Sequence, residues 1–274
     1  MKAIAQALPK NIAMALTSNE CTKHAKAIPM MMINGEEICP ACQLAKENAK
    51  FEQNLQAEIL EREAKKKKNT LYMRSVFADE TIRNASFGGF YIESEEESKN
   101  KDLAIQAFKH YKSGKVFTTL LQGDTGVGKS HLAMSILRNL NEKLDAECVF
   151  ISVREMMSKI RDSFDNKESK YTQLYFVELL SRVDFLCLDD LGAETGAIHT
   201  NKTATNFTLE VLTAILEARQ TKSTIITSNL SRSQMEAMYD KKLISRSLKN
   251  IAVIKFDRVR DKRVKAFDLT KPIE

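Results

Sequence analysis

The chain has 274 residues, of which 43% are hydrophobic and 28% are charged, so it can bury a substantial core. Its 42 basic and 36 acidic side chains give a formal net charge of +6 at pH 7, which permits a polyanionic partner without requiring one. No stretch is long and apolar enough to span a bilayer, and the N-terminus lacks a signal-peptide core, so we expect a cytoplasmic protein with no membrane partner.

The first 45 residues contain a group of metal-binding side chains and no long hydrophobic period. Cys21 and His24 form one close pair, and Cys39 and Cys42 form another. Two such pairs suit a closed tetrahedral Zn²⁺ site, because each pair supplies two ligands from a tight turn. A segment this small buries too little surface alone, so the metal would supply much of its folding free energy. We therefore predict a zinc-binding module over residues 1–45.

The next segments carry weaker signals. The apolar run Ile28–Ile33, between the ligand pairs, indicates either a protein-docking surface or the core of the module. Residues 46–70 are rich in Glu, Lys, Gln and Ala and end in the lysine run Lys65–Lys68, which predicts a charged helical linker. The remaining chain, residues 71–274, is predicted to be one domain, and its first part includes a solvated acidic stretch at Glu93–Glu97.

The second predicted domain alternates β-prone runs with helical patterns, which is typical of a parallel sheet covered by helices. The predicted strands are Val116–Leu121, Cys148–Val153, Phe185–Leu188, Thr224–Ser228 and Ala252–Phe256. The predicted helices are Lys129–Leu144, Arg154–Phe164, Tyr171–Ser181, Thr205–Arg219 and Ser231–Tyr239. We therefore expect an α/β fold with a five-stranded parallel sheet between helices.

The segment between the first of these strands and the first helix matches the phosphate-binding pattern G-x-x-x-x-G-K-[ST] at every fixed position. Its glycines allow a tight turn that aims backbone N–H groups at phosphate oxygens, beside a helix N-terminus. Lys129 would neutralise the β- and γ-phosphates, and the Ser130 hydroxyl would hold Mg²⁺. The residues predicted to contact ATP here are Gly123, Asp124, Thr125, Gly126, Val127, Gly128, Lys129, Ser130 and His131.

Two later strands end in polar side chains. Asp189 and Asp190 follow the third predicted strand, and Asn229 follows the fourth. Because the carboxyl ends of parallel strands meet at the ligand crevice, these side chains would lie beside the phosphate loop. We predict that Asp189 holds Mg²⁺ and that Asp190 polarises the attacking water. Asn229 is predicted to contact the γ-phosphate or that water, although Asn after a strand is also common turn chemistry.

These residues, in this order, resemble the AAA+ superfamily and, within it, the DnaC/DnaI-type replicative helicase loaders. The segments that carry the resemblance are Gly126–Ala133, Leu188–Glu194, Thr227–Asn229 and Leu243–Arg246. The resemblance implies that Arg246 reaches into the ATP site of a neighbouring subunit, so that hydrolysis depends on self-assembly through AAA+ interfaces. It also implies a second ATP sensor at Arg260, with Arg258 and Arg263 close enough to compete for that role.

The resemblance further implies two macromolecular partners. In related loaders and initiators, the helix after the second strand helps line a single-stranded DNA path, which makes Lys159 and Arg161 the candidate backbone contacts here. DnaI-type loaders carry a comparable zinc module that grips the helicase, so residues 1–45 are expected to hold a DnaB-type replicative helicase. One departure is Asp190, where many AAA+ ATPases have Glu, and the shorter side chain is compatible with slow turnover.

The leading hypothesis is therefore an ATPase that loads a DnaB-type helicase onto single-stranded DNA. The closest alternative is a transposition helper ATPase of the IstB type, which shares nearly the whole ATPase core. A small-molecule kinase would use the same phosphate loop, although no acceptor-binding lid is evident in the sequence. A nucleotide-bound adaptor that hardly hydrolyses ATP is also compatible with Asp190.

Overall fold

A computed structural model describes residues 15–195, 204–248 and 250–263 of the chain. The chain divides into two compact units, with the boundary between Glu63 and Ala64. Among the described residues, no helix combines the length and the apolar character that crossing a membrane requires.

The N-terminal unit contains a three-stranded antiparallel sheet that the sequence did not predict. Strand β1 (Ala15–Cys21), strand β2 (Ile28–Ile33) and strand β3 (Glu36–Ile38) pair in chain order. Asn34 and Gly35 join β2 to β3 with φ angles of 50° and 86°, and two successive positive values are typical of a tight hairpin turn. The sheet therefore ends close to the start of the next element.

That element is helix α1 (Pro40–Arg74), which is 35 residues long and contains the whole segment predicted as a charged linker. Pro40 is suited to the first helical position, because the N–H that it lacks would have no partner there. Many of the helix side chains are exposed, including Phe51 and Ile59. Its Glu, Lys, Gln and Ala residues favour a helix without requiring burial.

The C-terminal unit is built on a parallel sheet. Its strands are β4 (Thr118–Gly123), β5 (Cys148–Ser152), β6 (Phe185–Asp189), β7 (Thr224–Ser228) and β8 (Ile251–Phe256). They lie in the order β5-β6-β7-β4-β8, so β4 is paired with a parallel neighbour on each side. The predicted α/β fold with a five-stranded parallel sheet is confirmed. The largest difference in bounds is at β4, which lies two residues later than predicted because its last residues lead into the glycine loop.

Helices cover both faces of this sheet. They are α2 (Glu95–Lys112), α3 (Lys129–Leu144), α4 (Val153–Asp165), α5 (Gln173–Arg182), α6 (Asn206–Ala218), α7 (Arg232–Met238) and α8 (Lys241–Ser247). Successive residues of a strand point to opposite faces, so Leu120 packs in one core with α4 to α8 and Leu121 in another with α2 and α3. The sheet is therefore the middle of three layers.

Helix α2 replaces the solvated stretch that the sequence predicted at Glu93–Glu97. Ser94 and Glu97 form a capping box in which each side chain accepts the other's backbone N–H, at 3.3 Å and 3.0 Å. The Glu97 side chain is buried, and it also pairs with the Lys262 ammonium at 2.9 Å. The capping box starts the helix, and the ion pair ties it to the chain after β8.

One further contact lies at the outer strand of the sheet. Val76 donates its N–H to the carbonyl of Phe150 at 2.9 Å, and its carbonyl accepts the N–H of Ser152 at 2.8 Å. These two bonds form an isolated parallel bridge between Val76 and Ile151 on β5. The residues that follow α1 thus occupy part of the outer side of β5.

Candidate functional site

The glycine loop lies between β4 and α3, as the sequence predicts. Gly126 and Gly128 have φ angles of 80° and 96°, a backbone region that residues with a Cβ rarely adopt. A Cβ on Gly128 would lie 2.6 Å from the Phe90 ring, so close packing also requires glycine here. Gly128 caps α3 without a side-chain hydrogen bond, which leaves the first helical N–H groups for a ligand. The segment therefore has the backbone of an anion-binding loop.

Lys129 is buried at the base of this loop. Its ammonium donates to the carbonyls of Gly123 and Asp124 at 2.9 Å and 2.6 Å, and to Oδ1 of Asn229 at 2.6 Å. Burial lowers the pKa of Lys129, and the nearby carboxylates of Asp190, Asp189 and Asp124 oppose that shift. Asn229 also donates its amide to the Thr125 hydroxyl at 3.1 Å. The structure therefore brings Lys129 and Asn229 together, as expected from the strand ends.

Asp189 ends β6 in a buried position beside the loop. Burial raises the pKa of Asp189 to about 6, although hydrogen bonds from the Ser130 and Thr227 hydroxyls act in the opposite direction. The Thr227 bond is 2.7 Å long. A hydroxyl and a carboxylate that share a hydrogen bond are close enough to bind one cation through oxygen, which is the ligand chemistry of Mg²⁺. Ser130 and Asp189 therefore fit the predicted magnesium site.

Asp190 has a φ of 57°, so its backbone is left-handed. Its N–H donates to the Thr227 hydroxyl at 2.8 Å, and the N–H of Leu191 donates to the Thr227 carbonyl at 2.9 Å. Thr227 thus touches both acids from β7, and sequence reasoning missed it as a site residue. The signal available was its place two residues before Asn229, where the side chain points to the same face of the strand.

We expect Thr227→Val to destabilise the protein by about 1–3 kcal/mol, because it leaves buried polar groups of both acids without their hydroxyl partner. Urea unfolding of the full chain measures this loss. Thr227→Ser keeps the hydroxyl and is the matched control, with a loss of no more than about 1 kcal/mol from the missing methyl group. Equal stability of the two variants would show that the hydroxyl bridge contributes nothing.

The predicted groups face a cavity of about 620 Å³ at the carboxyl ends of the strands. Its lining includes Thr125, Gly126, Gly128, Lys129, Ser130, His131, Asp189, Asp190 and Asn229. Of the other predicted loop residues, Gly123 and Asp124 contact Lys129 through their carbonyls, and Val127 is buried in the core. The structure therefore joins the two predicted halves of the nucleotide site.

Much of the remaining cavity lining was not predicted. It includes residues of the segment 78–91 and Lys262, whereas Arg263 was among the candidates for the second sensor. The ammonium of Lys262 lies 4.2 Å from the centre of the Phe90 ring, and the backbone N–H of Lys262 donates to the Gly126 carbonyl at 3.1 Å. The chain after β8 is therefore held against the phosphate loop.

The arginines predicted to assist the site lie in different places. Arg263 lines the cavity, whereas Arg260 is exposed and lies outside the lining. Arg258 is also exposed, and its backbone N–H donates to Glu96 at 3.2 Å. Arg246 belongs to α8, and its side chain lies outside the described residues.

The two candidate DNA contacts both lie on α4 and not at the cavity. The Lys159 ammonium lies 4.8 Å from the centre of the Tyr171 ring. Arg161 is exposed on the same helix. Helix α4 packs against the short 3-10 turn Ala193–Thr195, which follows the two acids in the chain. The DNA candidates are thus one element away from the nucleotide site.

A second candidate site lies in the N-terminal unit. The ligand atoms of Cys21, His24, Cys39 and Cys42 all lie within 4.8 Å of one another. The Sγ atoms of Cys21 and Cys42 are 3.8 Å apart, and Nε2 of His24 lies 3.3 Å and 3.2 Å from the Sγ atoms of Cys39 and Cys42. Tetrahedral zinc would separate two sulfurs by about 3.8 Å and a sulfur from a nitrogen by about 3.6 Å. The cluster is therefore compatible with zinc.

The elements around the cluster explain its geometry. Cys21 ends β1, Cys39 directly precedes α1, and Cys42 lies in the first turn of α1. The backbone N–H of Cys42 and, to a smaller extent, the His24 ring lower the pKa of Cys39 to about 6. A lowered pKa favours the thiolate, which is the form that binds metal. The predicted ligand set is thus assembled by the hairpin and the start of the helix.

The parallel sheet, the glycine loop and the acids at the strand ends define a P-loop nucleotide-binding domain. A family model described as IstB-like ATP binding protein matches residues 41–255. The chain belongs to this family, so the predicted ATP-binding class is confirmed, and the IstB-type alternative fits the family as well.

Solved structures are similar in fold to about two thirds of the chain. The DnaC helicase loader is 19% identical, with 65% of this chain and 99% of that chain covered and a TM-score of 0.52. A structure of DnaI is 21% identical, with 66% and 95% covered and a TM-score of 0.53. At these identities the likeness establishes the fold.

A curated relative adds a sequence match. The uncharacterized protein YqaM of Bacillus subtilis (strain 168) is 25% identical over 174 residues, which cover 61% of this chain and 53% of YqaM. The chain thus spans about half the length of this relative.

Proposed function

We propose that the protein is an ATP-hydrolysing switch that binds a DnaB-type replicative helicase and delivers it onto single-stranded DNA. The observation that carries the proposal is the presence, in one chain, of a converged nucleotide site and a separate Cys/His cluster. The fold likeness to the DnaC helicase loader supports the first of these two features, the nucleotide site. The cluster supports a dedicated module for gripping a partner.

In the proposed reaction, water attacks the γ-phosphorus of ATP, and the bond to the β-phosphate oxygen breaks to give ADP and phosphate. Lys129 and the loop N–H groups hold the β- and γ-phosphates and neutralise charge on them. Asp190 polarises the water, and the Asn229 amide orients it from a position 2.6 Å from the Lys129 ammonium. Mg²⁺ held by Ser130 and Asp189 would supply further charge neutralisation.

The proposed switch depends on assembly, because Arg246 of one protomer would complete the ATP site of the next. A guanidinium suits this role, since its fixed positive fork stabilises charge on the phosphoryl group during transfer. For the second sensor within the protomer, Arg263 is better supported than Arg260, because Arg263 lines the cavity and Arg260 does not.

Single-stranded DNA would contact α4 through Lys159 and Arg161, which neutralise backbone phosphates. The packing of α4 against the turn Ala193–Thr195 supports a link between DNA and hydrolysis. That turn begins three residues after Asp190. A shift of α4 on binding DNA would therefore reach the residue that polarises water through one intervening element.

A pull-down tests the partner. We expect the full chain with ATP to retain a DnaB-type helicase and not an IS21-type transposase, and a variant lacking residues 1–63 to lose the helicase while still binding ATP. The truncation ends where the N-terminal unit ends. Helicase retained by the truncated variant would refute the assignment of the grip to the Cys/His module.

The same experiment addresses the second candidate function. The family model, which describes IstB-like proteins, favours a transposition helper as the alternative. Retention of transposase in place of helicase would support that function and exclude the loader. The site chemistry would be the same in both cases, so the partner is the property that separates them.

A further inference from the structure

A carboxylate beside the acid pair has no role in the hydrolysis described above. Glu194 lies in the 3-10 turn Ala193–Thr195 and is not part of the cavity lining. One of its oxygens accepts the N–H of Gly192 at 2.9 Å, and the other accepts the hydroxyl of Tyr239. Burial raises the pKa of Glu194, and the bond from Tyr239 partly offsets the shift. Glu194 therefore joins two segments that are far apart in the chain.

The first segment is the loop that carries Asp190. Asp190 and Gly192 have φ angles of 57° and 110°, and a Cβ on Gly192 would lie 2.6 Å from Leu230. A non-glycine residue in the left-handed region costs about 1–2 kcal/mol, so this backbone persists only where surrounding contacts hold it. Thr227 holds the loop at its start, and Glu194 holds it at Gly192. The direction of the Asp190 carboxylate thus depends on both contacts.

The second segment is the junction of α7 and α8. Tyr239 caps the C-terminus of α7, where its backbone N–H donates to the Met235 carbonyl at 2.8 Å. Helix α8 begins two residues later, at Lys241. Tyr239 is 3% exposed, so its hydroxyl has little access to water. Tyr239, Leu191 and Leu243 border the same small void of about 10 Å³, which shows that the loop after β6 packs against α8 here.

A carboxylate suits this position because it offers two acceptor oxygens at once. A glutamine has one acceptor oxygen, so it cannot accept both the Gly192 N–H and the Tyr239 hydroxyl in the same geometry. A phenylalanine at position 239 would keep the ring packing and remove the hydroxyl. Each change therefore breaks the connection while leaving the shape of the site nearly intact.

We propose that Glu194 and Tyr239 are positioning residues that connect the Asp190 loop to the start of α8, so that the helix bearing Arg246 influences hydrolysis in its own protomer. The inference rests on the proposed ATP hydrolysis. It adds a route within one subunit by which contact with a neighbour, made through α8, would change the geometry at Asp190.

The test uses the full chain and the variants Glu194→Gln, Tyr239→Phe and the double variant. Tyr111→Phe is the matched control, because Tyr111 is also buried and its hydroxyl also bonds to a side chain, Thr119, but it lies on α2 in the other core of the unit. Amide hydrogen exchange without nucleotide is the first readout. We expect Tyr239→Phe to speed exchange in residues 190–194 and 240–247, and Tyr111→Phe to leave both segments unchanged.

Steady-state hydrolysis with single-stranded DNA is the second readout. We expect each single variant to lower kcat about tenfold with KM within about twofold, and the double variant to lower kcat no further, because the two residues act as a unit. Tyr111→Phe should keep kcat within about twofold. A hundredfold loss in the double variant, or an equal loss in the Tyr111 control, would overturn the proposal.

The two readouts separate failure of the inference from failure of the proposed function. Absence of hydrolysis by the wild-type chain would contradict the ATPase and favour a nucleotide-bound adaptor. Hydrogen exchange would still decide whether the connection exists. Unchanged exchange in residues 190–194 of Tyr239→Phe would refute it in either case.

Discussion

Lys129→Ala is expected to lower kcat/KM for ATP by about 100- to 1,000-fold, because it removes the cation that stabilises charge on the transferring phosphoryl group. The ammonium lies between two loop carbonyls and Asn229, so no other described side chain occupies its position. Initial rates of phosphate release measure the effect. Lys143→Ala is the control from the same helix, since its ammonium lies 5.3 Å from the centre of the Phe108 ring and away from the cavity lining.

A mixing experiment extends this prediction to the shared site. Lys129→Ala and Arg246→Ala should each be inactive alone. If each ATP site takes its loop from one protomer and its guanidinium from the next, random mixing in equal amounts restores about a quarter of the sites. Full inactivity of the mixture, under conditions where the wild type assembles, would contradict a role for Arg246 in a neighbouring site.

Removing the metal is expected to have the second large effect, confined to the N-terminal unit. Structural zinc contributes about 10–16 kcal/mol of binding free energy in zinc-finger peptides, which exceeds what so small a segment gains by burial. Cys39→Ala should therefore lose bound zinc and the exchange protection of β1 to β3. ATP affinity should stay within about twofold, because a separate compact unit holds the nucleotide site.

Zinc content by atomic absorption and hydrogen exchange of residues 15–38 check this result. Cys148→Ala is the matched control, because Cys148 is buried in β5 and belongs to the core of the C-terminal unit. It should keep one zinc per chain. A Cys39→Ala variant that also keeps one zinc per chain would contradict the four-ligand site.

The sequence predicted those parts of the molecule whose signals are local. The phosphate loop is a continuous pattern, and Asp189 and Asn229 follow apolar runs whose ends must converge in a parallel sheet. The structure brings them together with Lys129 as expected. The start of α2 was also signalled locally, by the capping box of Ser94 and Glu97, but its acidic residues indicated solvent exposure instead.

Other parts depend on contacts between distant segments, which no local pattern reveals. The chain after β8 crosses the phosphate loop, and its position there determines several contacts. It places Lys262 against Phe90 and Glu97, and it places Arg263 rather than Arg260 at the cavity. Strands β1 to β3 were missed for a different reason. β1 contains the polar run Thr17–Glu20, which has little of the apolar alternation that identifies a strand.

The bridge at Val76 has a consequence for how copies of the protein can meet. An outer strand with unpaired backbone groups invites another chain to add a strand to the sheet, a common route to aggregation. Val76 already uses the Phe150 carbonyl and the Ser152 N–H on that side of β5. Extension of the sheet is therefore blocked at these positions of β5, so a second copy that meets this stretch must contact it through side chains.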